Sequence, residues 1–164
     1  MGLNANDRNS LGNMVTFYDV PPDALIEALS ERLEDRLDRP DWMTYAKTSP
    51  AKEFPPEQDN FWYVRGASIL RKVAMEGPIG VSRLSTEYGD RAEGTARFRS
   101  RPSRRVDASR KIIRTLLQQL QDADLILLEE GAGRRVTPDG ERLLNEVAAE
   151  VHEQLDRPEL ERYG

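Results

Sequence analysis

The 164-residue chain contains no cysteine, only four lysines and a single histidine. Without cysteine it forms neither a disulfide framework nor a thiolate metal site. No stretch approaches the roughly 18 consecutive apolar residues that indicate a membrane-spanning helix, and the first residues lack the basic and apolar segments of a secretory signal. We therefore expect a single soluble cytoplasmic domain rather than a disulfide-rich secreted protein or a membrane protein.

The sequence also lacks the residue sets that catalysis requires. His152 lies among Glu150, Glu153 and Asp156, so we interpret it as a solvated surface residue, and no Ser/His/Asp set can be built around it. The acidic residues follow the outer faces of predicted helices, as solvated side chains do, rather than a metal site. Residues 131–133 (Gly-Ala-Gly) precede a predicted strand and form a turn, not a phosphate-binding loop. We predict a protein that is not an enzyme and uses no cofactor or small-molecule substrate.

The charged residues are distributed very unevenly along the chain. The net charge is −5, but residues 65–114 hold 13 Arg or Lys against 5 Asp or Glu, a balance of +8. The remaining residues include 11 basic and 24 acidic side chains, a balance of −13. In an average protein, a solvated or disordered loop would explain such a basic segment. Here the segment interrupts an acidic chain and continues into a predicted basic helix, which favours binding to a nucleic acid.

Arginine side chains suit this role because they bind phosphate in a bidentate manner and stack on unpaired bases. The start of a helix adds backbone donors for phosphate. We predict that the nucleic acid contacts thirteen basic residues, which are Lys47, Arg65, Arg71, Lys72, Arg91, Arg97, Arg99, Arg101, Arg104, Arg105, Arg110, Lys111 and Arg114.

Four aromatic residues are candidates either for stacking on bases or for the core. Phe61, Trp62 and Tyr63 begin a strongly apolar predicted helix, and we expect Phe61 and Trp62 in the core. Trp42, in a loop beside Lys47, fits either role.

The basic residues are almost all arginine, since 20 of the 24 are Arg. An acidic, lysine-poor surface keeps a protein hydrated in concentrated salt and so indicates a halophilic source. A GC-rich genome, which also favours arginine over lysine, is the alternative. At molar salt the Debye length falls to about 3 Å, so binding would rest on close arginine contacts rather than on long-range attraction.

Hydrophobic periodicity predicts a mainly helical fold. Apolar residues at three- and four-residue steps predict helices at residues 22–39, 61–75 and 103–122 and from Pro138 onward, with a short helix at 81–87. Residues 90–101 have no such period and are interpreted as a mobile basic loop. Residues 125–130 and 134–137, joined by the glycine-containing turn, predict one small β-hairpin.

This order of elements is typical of a winged-helix-like domain. The short helix and the basic helix would form a helix-turn-helix with a long intervening loop, and the hairpin would be the wing. Residues 14–157 are predicted to form a single domain, between a disordered extension at residues 1–13 and a frayed tail at residues 158–164.

Several short segments resemble a known family. They are Met14-Val15-Thr16, Tyr18-Asp19-Val20-Pro21, Pro40-Asp41-Trp42, Asp59-Asn60-Phe61-Trp62-Tyr63-Val64-Arg65-Gly66-Ala67-Ser68, Gly80-Val81, Tyr88-Gly89-Asp90-Arg91 and Gly133-Arg134-Arg135-Val136-Thr137-Pro138-Asp139-Gly140. In this order they are similar to the archaeal and eukaryotic small-subunit ribosomal proteins of the nineteen-e type, over about residues 14–155. Two departures stand out, because family members often have glycine where this chain has Asp90 and are usually basic overall.

The resemblance implies a structural role in the head of the small ribosomal subunit. It implies a winged-helix-like fold around a central amphipathic helix at residues 61–75. It also implies that the protein binds ribosomal RNA, supports small-subunit maturation and contacts neighbouring head proteins. We expect a monomer outside the ribosome. The RNA-facing positions implied by the resemblance include Arg65, Arg71, Lys72, Arg91, Arg101, Arg104, Arg105, Arg110 and Arg114. The alternative is a winged-helix transcriptional regulator that binds DNA, because such repressors share the Thr-Pro-Asp-Gly segment.

Overall fold

Helices account for most of the computed structural model, which describes residues 15–92 and 104–162, with side chains as far as Leu155. The helices of this part are α1 (Pro22–Leu33), α2 (Phe61–Glu76), α3 (Val81–Glu87), α4 (Arg110–Asp122) and α5 (Pro138–Arg162), with a short 3₁₀ helix at Asp41–Thr44. Two antiparallel hairpins pair β1 (Asp90–Ala92) with β2 (Arg104–Val106) and β3 (Ile126–Glu129) with β4 (Gly133–Val136). No helix in these residues combines the length and apolar character needed to cross a membrane. The mainly helical, winged-helix-like fold is confirmed.

Helix α2 lies at the centre of the domain. It contacts α1, α4, α5 and β4, and its Trp62, Leu70 and Val73 are fully buried. A Cβ atom at Gly66 would lie 2.6 Å from Cδ1 of Leu37. Because interiors are packed densely, the absence of a side chain at Gly66 lets the neighbouring elements approach α2 closely. The predicted central helix is confirmed, and its end lies one residue beyond the predicted one.

Helix α1 ends earlier than its hydrophobic periodicity predicts. The pattern extends to residue 39, whereas α1 ends at Leu33 and continues as turns. The side chain of Gln119 accepts a hydrogen bond from the backbone N–H of Asp38 at 3.2 Å and donates one to its carbonyl at 2.8 Å. These two bonds hold the backbone of Asp38 away from helical geometry. Leu37 is nevertheless buried, so its place in the apolar pattern was correctly predicted.

The basic helix begins later than predicted, and the prediction for residues 104–109 was wrong. Arg104 and Arg105, expected on this helix, lie in strand β2, and residues 90–92, expected in a mobile loop, form β1. The half-buried, β-branched Val106 suits a strand better than the first turn of a helix. The chain therefore contains a second small hairpin in addition to the predicted wing.

The predicted wing is confirmed, with strand ends within a residue of the expected ones. A tight corner joins it to α5, where Oγ1 of Thr137 accepts a hydrogen bond from the backbone N–H of Gly140 at 3.1 Å and donates one to the carbonyl of Asp124 at 2.6 Å. Thr137 thus caps the helix as its position predicts. A Cβ atom at Gly140 would clash with the carbonyl oxygen of Leu125, so the corner requires glycine. Helix α5 continues to Arg162, and fraying of the tail stays a prediction.

Candidate nucleic-acid interface

The β1–β2 hairpin presents arginines on both of its faces. Arg91 lies directly opposite Arg105 in the register, and Arg104 is opposite Ala92. Because side chains alternate along a strand, Arg91 and Arg105 share one face and Arg104 lies on the other. The guanidinium of Arg105 donates to the carbonyl of Thr86 at 2.8 Å, which joins the hairpin to the end of α3.

The N-terminal end of α4 and the loop that follows the 3₁₀ helix continue this basic surface. The backbone N–H of Ser109, at the N-cap of α4, donates to the carbonyl of Thr48 at 2.7 Å. This bond brings Lys47 close to the start of α4. Arg110 and Arg114 are four residues apart and so lie on the same side of the helix.

Seven basic residues of these segments are exposed, and we call them the basic face. They are Lys47, Arg91, Arg104, Arg105, Arg110, Lys111 and Arg114. They come from the loop, the β1–β2 hairpin and α4, and the loop contacts α4 through Thr48 and the hairpin through Lys52.

Few of these cations are neutralised by carboxylates. Within the part of the chain that the structure describes, Arg91, Arg104 and Arg114 have no carboxylate at ion-pair distance, and the carboxylate paired with Arg110 is 4.0 Å away, on Asp107. The exposed guanidinium groups are therefore available for an anionic ligand such as phosphate.

Asp90, which departs from the family pattern, is part of an ion pair. Its carboxylate lies 2.9 Å from Nζ of Lys52. The hydrogen bond from Lys52 lowers the pKa of Asp90, and a second bond from the backbone N–H of Arg91 acts in the same direction. The acidic substitution thus adds a contact between the loop and β1.

A second group of predicted RNA-binding residues gathers around Tyr88 at the end of α3. The guanidinium carbon of Arg65 lies 4.3 Å from the centroid of the Tyr88 ring, and Nζ of Lys72 lies 4.8 Å from it. Lys72 also pairs with Glu87 at 3.2 Å. The Tyr88 hydroxyl is hydrogen-bonded to Ser68 at 2.5 Å. This group is therefore already engaged within the protein, unlike most of the basic face.

Burial shifts the pKa values of two residues in this second group. It lowers the pKa of Arg65, although the nearby Tyr88 opposes the shift, and it raises the pKa of Tyr88. The Arg65 guanidinium, held against Phe61 and Tyr88, consequently contributes to packing by cation–π contact. Nε of Arg71 is buried without a hydrogen-bond acceptor among the described residues.

Arg134 on the wing is a candidate that charge counting along the sequence missed. Its Nε is buried and lacks an acceptor in the described part of the chain. Burial lowers the pKa of Arg134, and the positive charge of Arg114 lowers it further. The wing thus brings the guanidinium of Arg134 towards Arg114 of the basic face. Its neighbour in β4, Arg135, is instead paired with Glu129 at 3.0 Å.

The aromatic residues singled out from the sequence belong mainly to the core. Trp62 is fully buried, and Trp42 packs edge-on against it with ring centroids 5.7 Å apart. Phe61 and Tyr63 are half-buried against the same core. Trp42 also touches the basic face, because Nζ of Lys111 lies 4.5 Å from its ring centroid.

The remaining sequence candidates are less informative. Arg97, Arg99 and Arg101 lie outside the described residues. His152 is half-buried rather than fully solvated. Among residues 15–92 and 104–155, no group of His, Asp and Glu side chains is arranged to hold a metal ion.

Comparison with known proteins matches the chain to a family. The family model described as ribosomal protein S19e matches residues 16–154. The small ribosomal subunit protein eS19 of Haloarcula marismortui is 53% identical over 153 residues, covering 92% of this chain and all of the relative. The eS19 proteins of Aeropyrum pernix and of Oryza sativa are 41% and 36% identical, covering 92% and 83% of this chain and 99% and 92% of the relatives. The similarity to the Haloarcula protein fits the halophilic source expected from the acidic, lysine-poor composition and the archaeal resemblance of the sequence.

Proposed function

The chain belongs to the ribosomal protein S19e family, and we propose that it is a structural constituent of the small ribosomal subunit that binds ribosomal RNA of the head through its basic face. Its location is then the cytoplasm, within the small subunit. The single observation that carries the choice of surface is the cluster of exposed guanidinium groups without carboxylate partners on β1, β2 and α4.

The geometry of the basic face suits an RNA backbone. Arg91 and Arg104 project from opposite faces of the β1–β2 hairpin and Arg114 projects from α4, so they reach phosphates that are separated along the RNA. Each guanidinium is able to donate two parallel hydrogen bonds to one phosphate. Such contacts act at hydrogen-bond distance, so they still form where salt screens long-range attraction, although competition from counterions weakens them.

The wing supplies a further contact in this proposal. Arg114 and Arg134 repel each other in the free protein, and the buried Nε of Arg134 has no acceptor among the described residues. A phosphate between the two guanidinium groups would relieve the repulsion. We therefore add Arg134 to the RNA-binding residues.

The cations around Tyr88 have a supporting role in the proposal. Arg65 and Lys72 are already engaged by the Tyr88 ring and, for Lys72, by Glu87. They fix the end of α3, and Thr86 in the same helix holds Arg105 of the hairpin. They thus act mainly by positioning the hairpin. Support of subunit maturation would follow from the same RNA binding, since a protein that holds folded RNA favours assembly.

The proposal is tested by assembly and RNA binding of matched variants. The test variant carries Arg91→Gln and Arg104→Gln, which remove two exposed charges from the basic face. The control carries Arg36→Gln and Arg39→Gln, which remove two exposed charges between α1 and the 3₁₀ helix. Tagged proteins are expressed in a haloarchaeal host, and their distribution between small subunits and the ribosome-free fraction is measured in molar KCl with magnesium.

We expect the wild type and the control to sediment with small subunits and the test variant to be depleted from them. In vitro, we plot the logarithm of the affinity for small-subunit RNA against the logarithm of the salt concentration. The slope should be shallower for the test variant than for the wild type, by roughly one unit per lost phosphate contact. Recovery of the wild type only in the ribosome-free fraction would refute the assignment to the subunit. Equal assembly of test and control variants would show that a different surface binds the RNA.

A winged-helix DNA-binding regulator, the alternative from the sequence, receives no support from the comparisons. The layout of α3, α4 and the wing still permits a direct check. A regulator would form a stable dimer and bind one duplex DNA sequence selectively, whereas we expect a monomer without such selectivity. Light scattering and competition with unrelated duplex DNA distinguish the two functions.

A further inference from the structure

The loop between α1 and α2 exposes two aromatic side chains that the core does not use. Tyr45 is 82% exposed and Phe54 is 70% exposed, although both lie in the same loop as the half-buried Trp42. Apolar rings gain free energy when they leave water. A loop that holds two rings in water, beside a core that accommodates a tryptophan, is suited to contact a ligand with an aromatic surface.

The backbone that carries these rings is anchored to the rest of the domain. Tyr45 follows the 3₁₀ helix, and its N–H donates to the carbonyl of Trp42 at 3.1 Å. Farther along the loop, the carbonyl of Thr48 accepts the N–H of Ser109 at 2.7 Å. Ser49 is buried. The Tyr45 ring is therefore presented from a fixed backbone, which reduces the entropy lost on binding.

Phe54 is presented in a similar way. Two residues before it, Lys52 is paired with Asp90 of β1 at 2.9 Å. Immediately after it come Pro55 and Pro56, whose rings restrict the backbone. The loop is thus attached both to α4 and to the β1–β2 hairpin, the two elements that carry most of the basic face.

The charges around the rings indicate what kind of ligand they meet. Lys47 and Lys52 are exposed in the same loop, and Lys111 of the basic face lies over Trp42, three residues before Tyr45. Glu53, which directly precedes Phe54, is exposed as well, so the Tyr45 end of the loop is the more cationic one. Cationic side chains interleaved with separate aromatic rings complement a single-stranded nucleic acid, in which phosphates alternate with unstacked bases. A protein partner matches this surface less well, because lysine is depleted at protein–protein interfaces.

We propose that Tyr45 and Phe54 form a stacking platform for unpaired bases of the RNA that lies on the basic face. The inference rests on the proposed RNA-binding function and specifies the ligand as single-stranded or looped RNA rather than a continuous duplex. Stacking needs no long-range attraction, so it contributes affinity in concentrated salt, where phosphate contacts are weakened.

The experiment separates the aromatic ring from other properties of the side chain. The test variant carries Tyr45→Leu and Phe54→Leu, which keep apolar bulk but remove both rings. A conservative variant, Tyr45→Phe and Phe54→Tyr, keeps them. The control Tyr18→Leu removes a ring that is 61% exposed but stacked on Phe17, near the start of the described chain. Circular dichroism of each variant checks the fold, which exposed rings should not affect.

Binding is measured by fluorescence anisotropy with a labelled oligoadenylate and with an RNA duplex of the same length, in low and in molar KCl. We expect the test variant to bind the oligoadenylate at least roughly fivefold more weakly, because the loss of one base stack alone reduces affinity by roughly 5- to 150-fold. The loss should persist in molar KCl. The conservative variant and Tyr18→Leu should bind like the wild type, and duplex binding should change little in all of them.

Unchanged oligoadenylate binding by the test variant would overturn the stacking proposal. So would full RNA binding combined with failure to enter small subunits in the cell, since that result would assign the rings to a protein neighbour. Failure of the proposed function looks different, because the wild type itself would then be absent from small subunits. If the test variant assembles and binds as the wild type does, the proposed ribosomal function still holds and only the stacking proposal is wrong.

Discussion

Replacement of Trp62 tests whether the domain is organised around α2 as the packing indicates. The ring is fully buried and packs edge-on against Trp42, while its Nε1 donates to Oε1 of Gln119 at 3.0 Å. Truncation of a buried tryptophan to alanine costs about 3–5 kcal/mol. The hydrogen bond accounts for about 1 kcal/mol of this, and the edge-to-face pair for about 0.5–1.5 kcal/mol. Since Gln119 keeps its bonds to Asp38, truncation leaves no unsatisfied acceptor, and we expect a loss of about 4 kcal/mol for Trp62→Ala.

A second substitution divides this cost into its parts. Trp62→Phe keeps a buried ring near Trp42 but cannot donate to Gln119, so we expect it to cost only about 1–2 kcal/mol. Met75→Ala is the matched control, because Met75 lies on the same helix and is 40% exposed. Its effect should stay within about 0.5 kcal/mol.

The free energy of unfolding is obtained from urea titrations at one fixed KCl concentration. Far-UV circular dichroism is the suitable probe, because substituting a tryptophan alters the fluorescence signal itself. A loss below about 1 kcal/mol for Trp62→Ala would refute the packing argument. Equal losses for the alanine and phenylalanine variants would show that the hydrogen bond, and not the buried volume, dominates.

Two further substitutions test close packing and like-charge repulsion. Gly66→Ala places a Cβ 2.6 Å from the end of the Leu37 side chain. We expect the overpacking to lower the free energy of unfolding by about 1–3 kcal/mol, offset by up to about 1 kcal/mol from the higher helix propensity of alanine. A net gain of stability in a urea titration would contradict this prediction. Arg114→Gln removes the charge near Arg134, so the free protein should gain up to about 0.5 kcal/mol of stability while its affinity for small-subunit RNA falls. The same titration and a filter-binding assay measure the two effects. A loss of stability would refute the repulsion argument, and an unchanged affinity would show that Arg114 does not contact the RNA.

Local chemistry explains which parts of the fold could be predicted from the sequence. The start of α5 after the wing was predictable because Thr137 caps the helix through the N–H of Gly140, only three residues away. The end of α1 was not, because it depends on bonds between Asp38 and Gln119, which are 81 residues apart. The late start of α4 likewise depends on pairing of β2 with β1 across an intervening segment of the chain. Periodicity reports which residues are buried, as Leu37 shows, but not where a long-range contact ends a helix.

The candidate site was predictable to a similar extent. Charge segregation identified six of the seven residues of the basic face, because Lys47 precedes the basic segment, and it also selected Arg65, which is half-buried against Tyr88. A count of charges does not distinguish a free guanidinium from one engaged by an aromatic ring. It missed Arg134 because this residue reaches the basic face through the wing rather than through the chain. Tyr45 and Phe54 were missed because a single exposed ring leaves no periodic pattern in the sequence.

The separation of charge between two parts of the domain changes how salt should affect RNA binding. The exposed acidic residues of α1 and α5, such as Glu27, Glu31 and Glu150, lie on helices that contact each other, whereas most of the basic face lies on α4 and the β1–β2 hairpin. In dilute salt the Debye length approaches about 30 Å. The acidic helices therefore repel the RNA while the basic face attracts it. In molar salt that length is about 3 Å, and only groups in contact with the RNA still act. Screening therefore removes an opposing interaction from this chain as well as a favourable one. For this reason its affinity should fall less with salt than that of a protein whose whole surface is basic.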